Sequence, residues 1–223
     1  MSIDEQLLAR YPRTEGLRVT FVTSLDGAAA VDGLSAGLSS PADKQVFRLL
    51  RMTCDALLVG AGTLRDEAYR PLTLDADRRA WRQQCGLPAY PRLVVFSRSL
   101  AIDPHHRALR EALVRPAVVT PTDPGDHPLR EVADLVVAAD LAGALAVLRA
   151  LGLTHLLCEG GPTLLGELTG VDLVDELCLT LSPILAGPSA SRMIAGAPHS
   201  PRQMKLVHAL PAENALLLRY RRR

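Results

Sequence analysis

Apolar residues recur along this chain with two periods, and the change from one to the other marks its elements. Leu17 to Thr23 is a β-branched run with one aromatic, ending in Leu25-Asp26-Gly27, whose Asp-Gly pair favours a turn. Asp26 is thereby delivered to a strand end. A Gly- and Ser-rich loop follows, and then Ser40 suits an N-cap, Pro41 the first helical position and Asp43 the first turn. Ala42, Val46, Leu49, Leu50 and Thr53 share one face, with Lys44, Phe47 and Arg51 on the adjacent flank, so a helix is expected through about Thr53. Ala56 to Val59 reads as a short buried strand, which Gly60-Ala61-Gly62-Thr63 turns into a second helical segment.

Residues 70 to 91, with Pro71, Pro88 and Pro91 around a polar stretch containing Trp81, read as an excursion from the core. Arg92 to Phe96, Ala117 to Thr120 and Leu135 to Ala138 are three more short apolar runs, each followed by a polar or Pro-containing segment. Strands joined by crossovers are the economical reading, an α/β class. Asp140 suits the cap of a helix from Leu141 to Leu151 that Gly152 ends, with Leu141, Ala144, Leu145 and Leu148 facing one way. Thr154 to Cys158 is the next strand, Glu159 closes it, and Pro162 starts a helix carrying Leu164, Leu165 and Leu168. Glu176 to Leu181 is strand-like, and Gln203 to Ala209 with Ala215 to Tyr220 reads as an antiparallel hairpin across Pro211 to Asn214.

A chain of 223 residues, 48% hydrophobic, buries a sizeable core and is most simply one domain spanning 1–223. Its formal net charge of +1 gives no electrostatic reason to expect nucleic acid or a membrane as partner. The basic cluster Arg219 to Arg223 reads as a solvated strand end. Cys54, Cys85, Cys158 and Cys178 form no CxxC pair, and three of them lie in apolar runs suited to buried, reduced thiols. With no long apolar run at the N-terminus or elsewhere, a cytoplasmic protein is expected.

Three loops carry candidate chemistry. Thr23 to Gly27, Val59 to Thr63 and Glu159 to Thr163 each follow a strand-like run and place small residues and hydroxyls where backbone can approach a phosphorylated ligand. Gly160-Gly161-Pro162-Thr163 offers backbone N–H groups and the positive end of a helix to a pyrophosphate, and equally reads as a flexible strand-to-helix turn. Gly60-Ala61-Gly62 opens like a dinucleotide fingerprint, but Arg65 stands at its sixth position, so a standard Rossmann domain is not expected. Gly33-Leu34-Ser35-Ala36-Gly37 matches the GxSxG of a hydrolase elbow. No strand enters it and no helix leaves it directly, which argues against Ser35 as a nucleophile. His105-His106 lacks a third ligand at useful spacing, so no metal is expected.

Taken in order, Ser24-Leu25-Asp26-Gly27, Ser40-Pro41, Leu49-Leu50-Arg51, Gly60-Ala61-Gly62-Thr63, Glu159-Gly160-Gly161-Pro162-Thr163-Leu164 and Val174-Asp175-Glu176-Leu177 resemble the pyrimidine reductase family of riboflavin biosynthesis. This is the reductase half of the bifunctional deaminase/reductase, and the likeness runs from about Arg18 to Tyr220. The resemblance implies a dihydrofolate-reductase-like fold, a mixed central sheet with helices on both faces, and a homodimer. It also implies NADPH as cofactor, held by Thr63, Glu67, Gly160, Gly161, Pro162, Thr163 and Leu164. Ser35, Arg51 and Glu159 would face a phosphorylated aminouracil, Asp26 would border the reacting end, and Asp26 and Glu159 are the catalytic candidates. The guanidinium of Arg51 suits the substrate phosphate. Ser97-Arg98-Ser99 could grip the 2′-phosphate of NADPH, or be an ordinary polar strand exit.

Two departures bear on substrate. The zinc-binding motifs of the deaminase half are absent, so deamination is not expected. Family members usually carry Lys where Thr20 stands, pointing into the substrate cleft, which leaves the exact pyrimidine or pterin-like substrate open. A non-catalytic NADP(H)-binding sensor and, less favoured, a serine hydrolase through Ser35 are the alternatives.

Overall fold

The computed structural model describes residues 3–67, 69–188 and 190–223, so residues 1, 2, 68 and 189 of the expected 1–223 domain lie outside it. In chain order the elements are α1 (Glu5–Arg10), β1 (Gly16–Thr23), α2 (Pro41–Thr53), β2 (Ala56–Gly60), α3 (Ala61–Asp66), α4 (Ala76–Gln84), β3 (Arg92–Phe96) and α5 (Arg107–Arg110). There follow β4 (Ala117–Thr120), β5 (Asp134–Val137), α6 (Leu141–Ala150), β6 (His155–Cys158), α7 (Pro162–Gly170), β7 (Glu176–Leu181), β8 (Met204–Ala212) and β9 (Ala215–Arg222). Contacts divide the chain into a first unit, Met1–Glu15 with Leu49–Leu157, and a second, Gly16–Arg48 with Cys158–Arg223.

In the first unit the strands lie in the order β5-β4-β3-β2-β6, and the β2/β3, β3/β4 and β4/β5 pairs are parallel. Parallel pairs need long crossovers and become buried on both faces, which is why β2, β3 and β4 read as unbroken apolar runs. Leu57, Leu58, Val94, Val95 and Val118 are all fully buried. β5 begins at Asp134, one residue before its apolar run, where the Asp134 amide donates to the Pro116 carbonyl at 2.9 Å; its carboxylate accepts from Arg92 and, at 2.8 Å, from Arg115.

The stretch 70 to 91 departs from the expected excursion. Asp75 caps α4 by accepting from the Arg78 amide at 3.0 Å, and Leu72, Leu74 and Arg82 are buried. Arg82 is 0% exposed and donates to the carbonyls of Met52 (2.8 Å), Cys54 (2.6 Å) and Pro88 (2.6 Å). A buried guanidinium is tolerated here because it meets carbonyls at the negative end of α2.

The second unit has the strand order β1-β7-β9-β8, with β1/β7 parallel and β7/β9 and β8/β9 antiparallel. The expected hairpin forms, but β8 runs on through Pro211 and Ala212, so the turn shrinks to Glu213-Asn214. Pro211 is accommodated because β8 ends the strand order and needs no donor on its outer side.

The C-terminal arginines are not simply a solvated strand end. Arg219 is 5% exposed and donates to Glu176 Oε2 at 2.6 Å, Arg18 donates to Oε1, and Arg221 reaches Oε2 at 3.2 Å. Burial pushes the Glu176 carboxyl up, but Arg219, Arg18 and Arg221 reverse that and hold it below the usual range. Cross-strand register makes this possible, since Arg18 and Arg221 both pair with Glu176 across β1, β7 and β9. Cys54, Cys158 and Cys178 are buried as expected, and Cys85 is exposed. No helix among the described residues is long and apolar enough to cross a membrane.

Candidate active site

In the second unit, β6 ends at buried Cys158, half-buried Glu159 follows, and the chain turns at Gly160 with φ +97°. A Cβ on Gly160 would lie 2.6 Å from the Phe21 ring, so both backbone and neighbour demand glycine. Gly161 is the N-cap of α7, and Pro162 supplies a pre-set φ at the first helical position.

The N-terminus of α7 contrasts with those of α1, α4 and α6. Asp4, Asp75 and Asp140 cap those helices, accepting at 3.0, 3.0 and 2.7 Å from first-turn amides. Gly161 makes no side-chain cap, and neither does Gly60 at α3. An Asp at the start of α7 would satisfy its amides but repel a phosphate, whereas glycine leaves the positive end of the helix for an anion. The far end of α7 is tied by Arg202, which donates to the carbonyls of Thr169 (3.3 Å) and Gly170 (2.9 Å). Its first turn is tied by the segment around Ala195, whose amide donates to the Pro162 carbonyl at 3.1 Å.

The loop after β1 is equally constrained. Ser24, fully buried, accepts from the Ala28 amide at 2.8 Å and donates to the Asp26 carboxylate. Asp26 also accepts from the amides of Ala186 (3.0 Å) and Gly187 (2.8 Å). The Ser24 hydroxyl and these two amides hold its carboxyl well below the ordinary value, at about 2. Asp26 is thus an anion at neutral pH that pins the β1 loop to the loop after β7. Thr20 pairs with Cys178 and, being next to Phe21 on one strand, faces away from the side where Phe21 meets Gly160. Ser35 opens a short 3₁₀ turn, Ser35–Gly37, reached from the Val31/Leu34 bridge, so the strand-to-helix geometry of a hydrolase elbow is not formed.

In the first unit, α3 brings Thr63 and Glu67 one turn apart, the Glu67 amide donating to the Thr63 carbonyl at 3.1 Å. Arg65, the residue that breaks the fingerprint, instead donates to the Ala101 carbonyl at 3.0 Å. Arg51, in the last turn of α2, donates to the Tyr69 hydroxyl at 2.8 Å and lies 5.5 Å from the centre of its ring. Ser97 is buried at the exit of β3 and Arg98 is exposed beside it. Sequence reasoning missed Tyr69 and Arg82, since a Tyr in a Pro-flanked loop and an Arg in a polar stretch both look solvated; the Asp75 cap was the available signal for the helix carrying Arg82.

The family described as the RibD C-terminal domain matches residues 16–218. The 2,5-diamino-6-ribosylamino-4(3H)-pyrimidinone 5′-phosphate reductase of Archaeoglobus fulgidus is 28% identical over 176 residues, covering 76% of this chain and 80% of that protein. Riboflavin biosynthesis protein RibD of Mycobacterium tuberculosis is 31% identical over 170 residues, 75% of this chain and 42% of that protein. Among solved structures, a pyrimidine reductase-like protein from Corynebacterium diphtheriae superposes with a TM-score of 0.85 at 23% identity, covering 100% of this chain and 99% of that one. The fold is the expected mixed, dihydrofolate-reductase-like one.

Proposed function

Because the chain belongs to the RibD C-terminal domain family, we propose that it is an NADPH-dependent reductase of a phosphorylated ribosylaminopyrimidine. Reduction takes the sugar from ribosyl to ribityl: the ribosylamine opens to an imine as its N–H proton passes to the ring oxygen, hydride then adds at C1, and the nitrogen takes a proton from solvent. NADPH, when bound, supplies that hydride; the chain's task is to hold donor and acceptor in register and to manage charge. The observation that carries this reading is the N-terminus of α7, where a glycine pressed against Phe21 and an N-cap without a side-chain acceptor suit a pyrophosphate.

In the second unit, the Gly160 to Leu164 turn receives the pyrophosphate, Glu159 accepts from sugar hydroxyls or the pyrimidine ring, and Ser35 contacts substrate. Asp26, its carboxyl held at about 2, stays charged and donates no proton at working pH. In the first unit, Thr63 and Glu67 orient the cofactor, Ser97 and Arg98 grip its 2′-phosphate, and Arg51 takes the substrate phosphate. The names of the archaeal and mycobacterial relatives support the substrate class and the pathway. We take the working form to be a cytoplasmic homodimer, which light scattering tests directly.

Nicotinamide fluorescence titration, followed by turnover with the ribosylaminouracil 5′-phosphate and its diaminopyrimidinone counterpart, tests the proposal. Saturable NADPH binding tighter than NADH, and oxidation of NADPH on adding either pyrimidine, are expected. Binding without turnover of any imine or carbonyl compound would leave a sensor, and absence of NADPH binding would refute the reading altogether.

A further inference from the structure

Arg51 stands on a backbone that is clamped from outside its own helix. The last three carbonyls around the end of α2 are each taken by an arginine from elsewhere in the first unit: Met52 and Cys54 by Arg82, and Thr53 by Arg13 at 2.8 Å. Arg13 is itself anchored on Asp55 at 2.7 Å. The base of the Arg51 side chain therefore has little freedom. Its head, on a long side chain with rotamer freedom to lose, is met by Tyr69, whose hydroxyl accepts from Nη2 at 2.8 Å and whose ring lies 5.5 Å from the guanidinium carbon.

Tyr69 is placed by α3. Its amide donates to the Leu64 carbonyl at 3.4 Å, in the same turn that carries Glu67. We propose that Tyr69 is a positioning residue for Arg51, fixing the plane and direction of the guanidinium so that it meets a phosphate monoester already oriented. The inference rests on the reading of Arg51 as the phosphate contact. A tyrosine suits the task twice over, since its ring face attracts the cation and its hydroxyl oxygen accepts one donor of the fork. The gain is pre-organisation: an arginine held in place loses less entropy when the phosphate arrives.

The first unit contains an internal control. Arg79 donates to the Tyr90 hydroxyl at 2.7 Å and lies 5.8 Å from that ring, nearly the same geometry on α4. It is assigned no part in phosphate binding, so it separates a general Arg-Tyr effect on stability from a specific effect on the ligand.

Calorimetric titration with ribose 5-phosphate, with ribose as the uncharged reference, tests the proposal on the intact chain. Wild type should bind the phosphate and not ribose, and Arg51→Ala should abolish binding. Tyr69→Phe, which keeps the ring and loses the acceptor, should weaken binding about three- to tenfold, and Tyr69→Ala more than that. Arg79→Ala should bind as wild type. In turnover, Tyr69→Phe should raise KM with kcat and NADPH affinity unchanged, a split that a merely structural role would not produce. Tyr69→Phe and Tyr69→Ala binding like wild type while Arg51→Ala fails would overturn the proposal and leave the reductase reading standing. So would a Tyr69→Phe effect confined to NADPH affinity. A wild type that binds no ribose 5-phosphate overturns it as well, and turnover with the pyrimidine phosphates then decides the reductase reading separately.

Discussion

Replacing Gly166 by alanine sets two effects of opposite sign against each other. Gly166 lies inside α7, where alanine gains about 1 kcal/mol over glycine by lowering the backbone entropy lost on folding. Against that, a Cβ built there lies 2.0 Å from the Ala195 carbonyl oxygen, whereas ordinary contact begins at 3.4 Å. The obstacle is main chain and cannot rotate aside, so the segment around Ala195 must retreat by more than an ångström. Overpacking of this kind costs about 1–3 kcal/mol. The retreat also strains the hydrogen bond from the Ala195 amide to the Pro162 carbonyl, about 0.5–1.5 kcal/mol more. The losses win, and Gly166→Ala should destabilise by roughly 0.5–3.5 kcal/mol, with melting falling about 2–4 °C per kcal/mol in a chain of this size. Gly170→Ala, in the same helix, meets nothing nearer than His199 at 3.7 Å and should melt as wild type or slightly higher. Thermal unfolding by circular dichroism, with NADPH titration on each protein, reads both effects. A Gly166→Ala protein that melts at or above wild type with undiminished NADPH affinity would show that the Ala195 segment does not brace α7, and the reasoning would fail.

Gly161→Val should weaken NADPH binding in a protein that remains folded, because a side chain at the N-cap of α7 blocks close approach of a pyrophosphate; unchanged affinity by fluorescence titration would move the phosphate site elsewhere. Asp26 is depressed from 3.8 to about 2 in the folded protein, so its contribution to stability is full above its unfolded value and is lost as pH falls from about 4 towards 2. Asp26→Asn should accordingly flatten the acid limb of stability in that window, and urea midpoints measured across it would expose the error if the two proteins fell in parallel. The resemblance implies a lysine at the position of Thr20, so if Thr20 borders the substrate, turnover of the ribosylaminouracil phosphate should be roughly ten- to hundredfold below that of a lysine-bearing protein, with a partial gain in Thr20→Lys. Wild-type turnover at ordinary enzyme rates would show the threonine to be harmless.

Local signals determined much of this protein without any tertiary information. Val46, Leu49 and Leu50 recur at helical spacing and are buried on α2, Asp140 caps α6, and Leu164, Leu165 and Leu168 face the core from α7. Each depends on residues within a turn or two of one another, where period, caps and glycines act directly on the chain. The Gly160-Gly161-Pro162 turn was legible for the same reason: the conformations its residues allow are a property of the residues themselves. Only the tertiary structure decided the fate of charged residues whose partners are distant in sequence. Arg82 looks solvated until the carbonyls of Met52 and Cys54 are placed beside it, and Arg219 looks like a tail until β9 pairs with β7 and its guanidinium reaches Glu176, two residues along from its paired position. Arg51 was legible as an arginine in the last turn of α2, but Tyr69, whose hydroxyl accepts from it, lies 18 residues away in sequence. A charge declares its type in the sequence, whereas its environment is assembled from several elements at once, and burial, partner and orientation follow from that assembly.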